Sequence, residues 1–353
     1  MRLSICFKKS AFSFCGVLAL ALTTVLAGCG DDSSSSPSAP AQTPTSSSGA
    51  QLPDAGTNPA NSSGSLPDAG TDPVSSSDAV DPASSAIAPP ANGSFTFATT
   101  PGTLALAPDE DGFYDMGDVY KAVPQTSKIA FVIRHSKREK KNYGTESQLT
   151  PIGIQMAQTL GTKLVSEESF YYSSTDFLRT RETCKNIAIG RGEGDVEVVT
   201  WDGINGGYFL TVPSDSLDAL VSERGGNPKY IAQYAYGVSF SFARVIGAKL
   251  STYFYDLYER GNQFVNEVVV ANMPSWKRVS ILVSHDMLVE PLIVFVSNRT
   301  IDLKYYQSPF RWVNYLSGIA VIVDEAGAVT ALPVRGDSVG WMLPADEVVE
   351  TVQ

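Results

Sequence analysis

From residue 128 onward, short runs of branched apolar residues alternate with segments of helical periodicity, and this alternation restricts the folds open to the chain. KIAFVI (128–133), FYYSS (170–174), VEVVT (196–200) and VSILV (279–283) have the length and composition of strands. Helical patterns lie between them. Thr150 suits an N-cap and Pro151 the first helical position. Ile154, Ala157, Leu160 (or Gly161) and Leu164 then share one face. DFLRTRETCKNIAIG (176–190) reads as a second helix closed by Gly190, and an apolar helix follows VSILV through about 297. SDSLDALVSE (214–223) and an aromatic-rich segment at 229–262 look helical. GIAVIV (318–323) and AVTALPV (328–334) flank the turn DEAG as a hairpin would. Strands alternating with helices predict an α/β fold, a mostly parallel central sheet covered on both faces by helices. In such sheets ligands bind beyond the carboxyl ends of the strands.

The first 94 residues lack this pattern. Arg2, Lys8 and Lys9 precede the apolar stretch AFSFCGVLALALTTVLAG (11–28), and Cys29 follows. That is the three-part layout of a secretory signal, and the stretch is short for a transmembrane anchor. LAGC (26–29) resembles the lipobox of bacterial lipoproteins. The resemblance implies a signal peptide over 1–28, lipid on Cys29, and attachment to a membrane of the bacterial cell envelope. Gly30 in place of Asp leaves outer-membrane sorting open, and the outer membrane or cell surface is expected ahead of the inner membrane. Residues 30–93 are rich in Ser, Pro, Ala, Gly, Asp and Thr and contain no aromatic residue, and LPDAGT occurs at 52–57 and again at 66–71. Such a stretch cannot bury enough apolar surface to offset its ordering entropy, so 29–94 reads as a disordered tether and the folded region as 95–353. Of the four cysteines, Cys6 and Cys15 leave with the signal and Cys29 is lipidated. Cys184 is then alone, which excludes an intrachain disulfide framework and suits a small buried helix residue. The net charge of −11 excludes a general nucleic-acid binder while leaving room for a local basic pocket.

The chain has only two histidines. His135 lies just past the first strand, within FVIRHSKR (131–138), and His285 just past VSILV. If those strands are neighbours, both histidines face one crevice. Arg134, Arg138, Arg179 and Asp286 fall at the same strand ends. A phosphoryl group calls for such a set. Arginine offers a planar fork of donors to its oxygens, and neutral imidazole can accept the phosphoryl group. A carboxylic acid can supply the proton that the departing alkoxide needs. No metal and no cofactor is required, because the arginines supply the positive charge.

These motifs, in this order, resemble the histidine phosphatase superfamily, the group of the histidine acid phosphatases and cofactor-dependent phosphoglycerate mutases. Arg134-His135-Ser136-Lys137-Arg138 matches the family's Arg-His-Gly-x-Arg except at Ser136. Leu149, Thr150 and Gly153 match its Leu-Thr-x-x-Gly; Arg179-Thr180 with Thr183 matches its arginine helix. His285-Asp286 matches the acid-phosphatase branch, and Asn314 with GIAVIV resembles the closing strand. The resemblance covers about 128–323, with the middle unmatched. It implies a phosphoglycerate mutase-like fold with a small helical cap insertion at about 203–275. It also implies a phosphohistidine on His135, phosphate held by Arg134, Arg138, Arg179 and His285, and Asp286 as proton donor.

The reading is an exported, metal-independent phosphomonoester hydrolase acting on a phosphorylated small molecule or another anionic substrate. Water completes the cycle. A mutase fits less well outside the cytoplasm. The alternative is a member of the same fold that binds phosphate or an anion without turnover, since Ser136 replaces the family glycine. Glu223 is a second candidate for the acid. Arg181, two residues from Arg179, points to another face. KREKK (137–141) is either a solvated loop or a funnel for anions. Trp201, Tyr208 and the aromatic residues at 230–255 read as core or cap packing.

Overall fold

The computed structural model describes residues 94–139, 144–223, 229–238 and 250–347. The signal-like segment, Cys29, the tether to residue 93, and Lys140 and Lys141 of the basic run lie outside the described residues. In chain order the elements are β1 (Tyr114–Asp115), α1 (Met116–Ala122), β2 (Lys128–Arg134), α2 (Pro151–Lys163), β3 (Tyr171–Ser174), α3 (Leu178–Arg191) and β4 (Val199–Thr200). Then come α4 (Ser214–Glu223), α5 (Tyr230–Ala235), α6 (Leu257–Gln263), β5 (Val279–Ser284) and α7 (Asp286–Val296). The last are β6 (Trp312–Val313), β7 (Gly318–Val323), β8 (Val329–Arg335) and β9 (Trp341–Met342).

Seven strands form one sheet in the order β1-β8-β7-β2-β5-β3-β4, and only β7 runs against the others. β2 is buried from Ile129 onward and β5 throughout, as apolar runs at the centre of a mostly parallel sheet should be. α3 packs on β3 and β5; α7 packs on β2, β7 and β8. The β2–β5 register pairs Arg134 with Ser284, and the His135 amide continues it by donating to the Ser284 carbonyl at 2.9 Å. His135 and His285 therefore emerge side by side at the carboxyl edge. β3 ends beside them, with Ser174 opposite Val283.

Thr150 caps α2 as expected, its hydroxyl accepting from the Gly153 amide at 3.1 Å, with Pro151 first in the helix. The buried face is Gly153, Ala157, Leu160 and Gly161, with Leu164 at the C-cap. Ile154, expected there, is 36% exposed, because α3 meets α2 along the small residues. α3 also runs past Gly190 to Arg191, and Gly192, at φ 87°, closes it. Gly190 lies inside the helix, where a Cβ would come within 2.0 Å of the Gln158 carbonyl oxygen of α2. The glycine that looked like a stop is a close helix–helix approach. The strand read over 196–200 shrinks to Val199–Thr200 at the sheet edge. The hairpin of β7 and β8 forms around Asp324–Gly327, where Gly327 takes φ 81°.

Within 203–275, α5 and α6 pack on α7, and α6 continues into a wider helical turn at Phe264–Val270. Tyr208 packs on Phe209 and Phe264, and Trp201 packs on Trp276, so these aromatic residues belong to the packing. Cys184 is buried and free, its thiol against the Ser173 carbonyl at 3.4 Å.

Candidate active site at the carboxyl edge of the sheet

A cavity of about 860 Å³ opens where β2, β3 and β5 end. Arg134, His135, Arg138, Arg179, His285 and Asp286 all line it. The six residues picked out in the sequence thus converge on one space. Glu223 does not line it, and neither does half-buried Arg181.

Arg134 is the last residue of β2, and its guanidinium is buried. Nη1 donates to the Val313 carbonyl at 2.6 Å, Nη2 lies 3.2 Å from Asp286 Oδ2, and the Tyr315 ring centroid is 4.3 Å from Cζ. His135 follows. Its Nδ1 lies 2.7 Å from the Ser136 carbonyl oxygen. A carbonyl only accepts, so Nδ1 carries the proton and Nε2 keeps the lone pair. Burial first, then Arg134, His285 and Arg179, push the His135 imidazole well below the usual histidine range. It is neutral and nucleophilic at pH 7.

Ser136, in place of the family glycine, sits without backbone strain, because its φ is outside the left-handed region. Its hydroxyl donates to the Gly153 carbonyl at 2.7 Å and its amide to Thr183 Oγ1 at 3.0 Å. Thr183 in turn donates to the Arg179 carbonyl at 2.7 Å, tying the turn after His135 to α3. Gly153 permits this: a Cβ there would lie 2.0 Å from the Lys137 carbonyl oxygen. Lys137 itself is buried, so the basic run begins as packed structure and not as a solvated loop, while Arg138 faces the cavity.

Arg179 sits in the first turn of α3. Nη1 donates to the Gly144 carbonyl at 3.0 Å, Nη2 lies 3.4 Å from His285 Nδ1, and Cζ stands 4.2 Å from the Phe177 ring centroid. Burial, with Arg138 nearby, lowers it to about 10, so it remains a cation at neutral pH. His285 is the N-cap residue of α7, in extended conformation, with Nε2 3.0 Å from Thr175 Oγ1. Its ring centroid is 5.5 Å from that of His135. Burial and Arg179, partly opposed by Asp286, lower His285 to about 3.

Asp286 opens α7. Its Oδ1 accepts from the Met287 amide at 3.0 Å and its Oδ2 from Trp312 Nε1 at 3.2 Å. Burial works to raise this carboxyl, but Arg134, followed by Lys229 and the histidines, overrides it and holds the group well below the usual carboxylate range. Asp286 is therefore a carboxylate at neutral pH. Among the described residues, no group of three or more histidine, cysteine or acidic side chains gathers in a metal-binding arrangement.

Sequence reasoning missed several wall residues. Asp215 and Asp218 of α4, Lys229, Phe177, Trp312 and Tyr315 all line the cavity. Lys229 Nζ stands 4.3 Å from the Trp312 ring centroid. Phe177 lies just before the Arg179 motif and Trp312 and Tyr315 flank Asn314, while Asp215, Asp218 and Lys229 come from segments with no motif.

The model for the histidine phosphatase superfamily (branch 1) matches residues 130–222. That span carries Arg134, His135, Arg138 and Arg179 of the resemblance read from the sequence, while His285 and Asp286 lie beyond it. Among curated proteins none matches. Solved structures similar to this chain include phosphoglycerate mutase from Bacillus anthracis str. Sterne, at 19% identity, covering 60% of this chain and 94% of that one, TM-score 0.39. A phosphoserine phosphatase mutant from Entamoeba histolytica in complex with phosphoserine is 15% identical over 57% of this chain and 94% of that one, TM-score 0.36. A mycobacterial glucosyl-3-phosphoglycerate phosphatase is 14% identical over 62% and 97%, TM-score 0.35. The family match supports phosphatase or mutase-like chemistry for this site.

Proposed function

We propose that this chain hydrolyses phosphomonoesters through a phosphohistidine on His135. The observation that carries the reading is the Nδ1–Ser136 carbonyl bond of 2.7 Å, which leaves Nε2 unprotonated on a neutral ring among three arginines that line the same cavity. Arg134, Arg138 and Arg179 would bind the phosphoryl oxygens, with His285 at the same pocket. In the first step Nε2 attacks phosphorus. The Nε2–P bond forms, the P–O bond to the leaving group breaks, and that oxygen takes a proton from Asp286. In the second step water attacks phosphorus, gives a proton back to Asp286, and the N–P bond breaks to release phosphate. No step calls for a metal, since the guanidinium groups neutralise the charge that develops on the phosphoryl oxygens.

Asp286 needs a proton before it can donate one. A phosphoryl group that engages Arg134 weakens the pairing that keeps Asp286 ionised and adds negative charge beside it. Both effects raise the carboxyl. A phosphomonoester still carrying its second proton, lost at about pH 6, can deliver that proton to Asp286.

The test is release of phosphate from a generic aryl phosphate, with chelator present, from acid to neutral pH. His135→Ala should lower the rate roughly a hundredfold or more. Wild-type kcat/KM should fall above about pH 6. Activity unchanged in the variant means that His135 is not the nucleophile. Saturable phosphate binding with no turnover on any ester favours the anion-binding alternative.

Export and anchoring belong to the same proposal. LAGC at 26–29 and the polar stretch behind it support lipid on Cys29 and display at the cell envelope, on the outer membrane or cell surface. Metabolic labelling with a fatty acid should mark the chain and fail to mark Cys29→Ser. Equal labelling of the two would rule out that anchor.

A further inference from the structure

We infer that Thr175 is a positioning residue: with Thr180 behind it, Thr175 fixes His285 as the Nε2–H tautomer, so that Nδ1 accepts from Arg179 and holds its guanidinium toward the cavity. The inference rests on the proposed function only in taking that cavity to bind a phosphoryl group.

The assignment follows from which atoms can donate. A guanidinium nitrogen only donates. Arg179 Nη2 lies 3.4 Å from His285 Nδ1, so Nδ1 must be the lone-pair nitrogen. An imidazole carries at least one proton, so Nε2 bears it and donates to Thr175 Oγ1 at 3.0 Å. The Thr175 hydroxyl, accepting there, sends its own proton to Thr180 Oγ1 at 3.0 Å. Thr180 then donates to the Phe177 carbonyl at 2.7 Å, where the chain ends on an atom that only accepts. No other arrangement satisfies all four contacts. A proton on Nδ1 would face the Arg179 N–H groups, and a doubly protonated ring would face a cation.

The surroundings keep the ring in this state. His285 is 8% exposed, and Thr175 and Thr180 are buried. Phe177 closes one side, with its centroid 4.6 Å from the imidazole. The charged and titratable groups that act on the ring are Arg179, Arg134, Arg138, His135 and Asp286, four of them cationic or neutral and one an anion already paired with Arg134. Neither Thr175 nor Phe177 lies on the motif residues, and Thr175 reaches the site because β3 ends beside β5.

The test uses the full chain labelled with 15N-histidine. Two histidines give two ring systems, and His285→Gln assigns them. Long-range proton–nitrogen correlation at neutral pH should show His285 as a single Nε2–H tautomer. Thr175→Val removes the hydroxyl while keeping the shape. It should give mixed tautomers and weaken binding of inorganic phosphate about tenfold, the scale of a lost hydrogen bond near a charged group. Thr175→Ser should restore both. Thr180→Ala, which leaves Thr175 in place, should shift the same signals and serves if Thr175→Val does not fold. A wild-type Nδ1–H ring overturns the inference, as does a Thr175→Val protein with unchanged tautomer or unchanged phosphate affinity. None of these readings needs turnover. A chain with the expected tautomer that binds phosphate and hydrolyses no ester sinks the phosphatase reading and leaves this one standing.

Discussion

At the scale of single residues, the least comfortable group is Glu290. It is fully buried on α7, one helical turn beyond Asp286, and neither carboxyl oxygen has a hydrogen-bond partner among the described residues. Burial and then Asp286 push it well above its ordinary 4.5, against the pull of Lys229 and Arg134. The folded chain keeps a proton there that the unfolded chain releases once pH exceeds 4.5. The stability this group contributes is therefore fully present below that pH and is lost as pH rises toward the folded value. Glu290→Gln, uncharged throughout, should melt higher than wild type near about pH 8, and the difference should shrink toward acid. Titration of the histidines and Asp286 is common to both proteins and cancels in the comparison. An equal difference at both ends of the range would mean that Glu290 is ionised in the fold. Nothing in the sequence marked this glutamate, since a carboxyl inside an apolar helix looks the same whether it faces water or the core. His135, Arg134, Arg179 and His285-Asp286 were legible because strand ends and motif order placed them. Thr175 and the wall residues were not, because only tertiary contact brings them in.

Among the elements, α2 and α3 owe their contact to missing side chains. A Cβ on Gly161 would lie 2.3 Å from the Ile187 carbonyl oxygen, and one on Gly190 lies closer still to α2. Alanine is the better helix former by about 1 kcal/mol. Gly190→Ala should nevertheless destabilise the protein by roughly 1–3 kcal/mol, because the neighbour it meets is backbone and cannot rotate aside. Urea denaturation would read this directly, and an unchanged or raised midpoint would show that the helices can separate without cost. Local pattern led to the opposite conclusion at this position, since glycine after a run of helix formers normally signals a stop. By contrast, the α2 cap, the β7–β8 hairpin and the buried β2 and β5 were all readable, because each is fixed by neighbours in sequence or by its own composition.

For the molecule as a whole, the first described residues of the folded region are tied to elements late in the chain. Phe95 and Phe97 pack on Phe295 of α7, at 5.1 and 5.8 Å between centroids, and Ala98 pairs with Val329 and Ala331 of β8. A fragment beginning at Ser94 should thus melt measurably higher than one beginning at Thr99, since the shorter piece uncovers two aromatic rings' worth of core. Equal melting would make the first strand contacts incidental. Composition draws attention to Phe95 as the first aromatic residue after the polar stretch, while its partner on α7 was out of reach of any local pattern. The pairing of Arg134 with Ser284 has a wider consequence. The two residues are 150 positions apart, so neither histidine finds the other until most of the chain has been threaded between them. Helix content can return early in renaturation while the cavity is still unmade. Catalysis is then a late and stringent gauge of the native state, and a preparation judged by its circular dichroism alone could look folded with its two histidines still strangers.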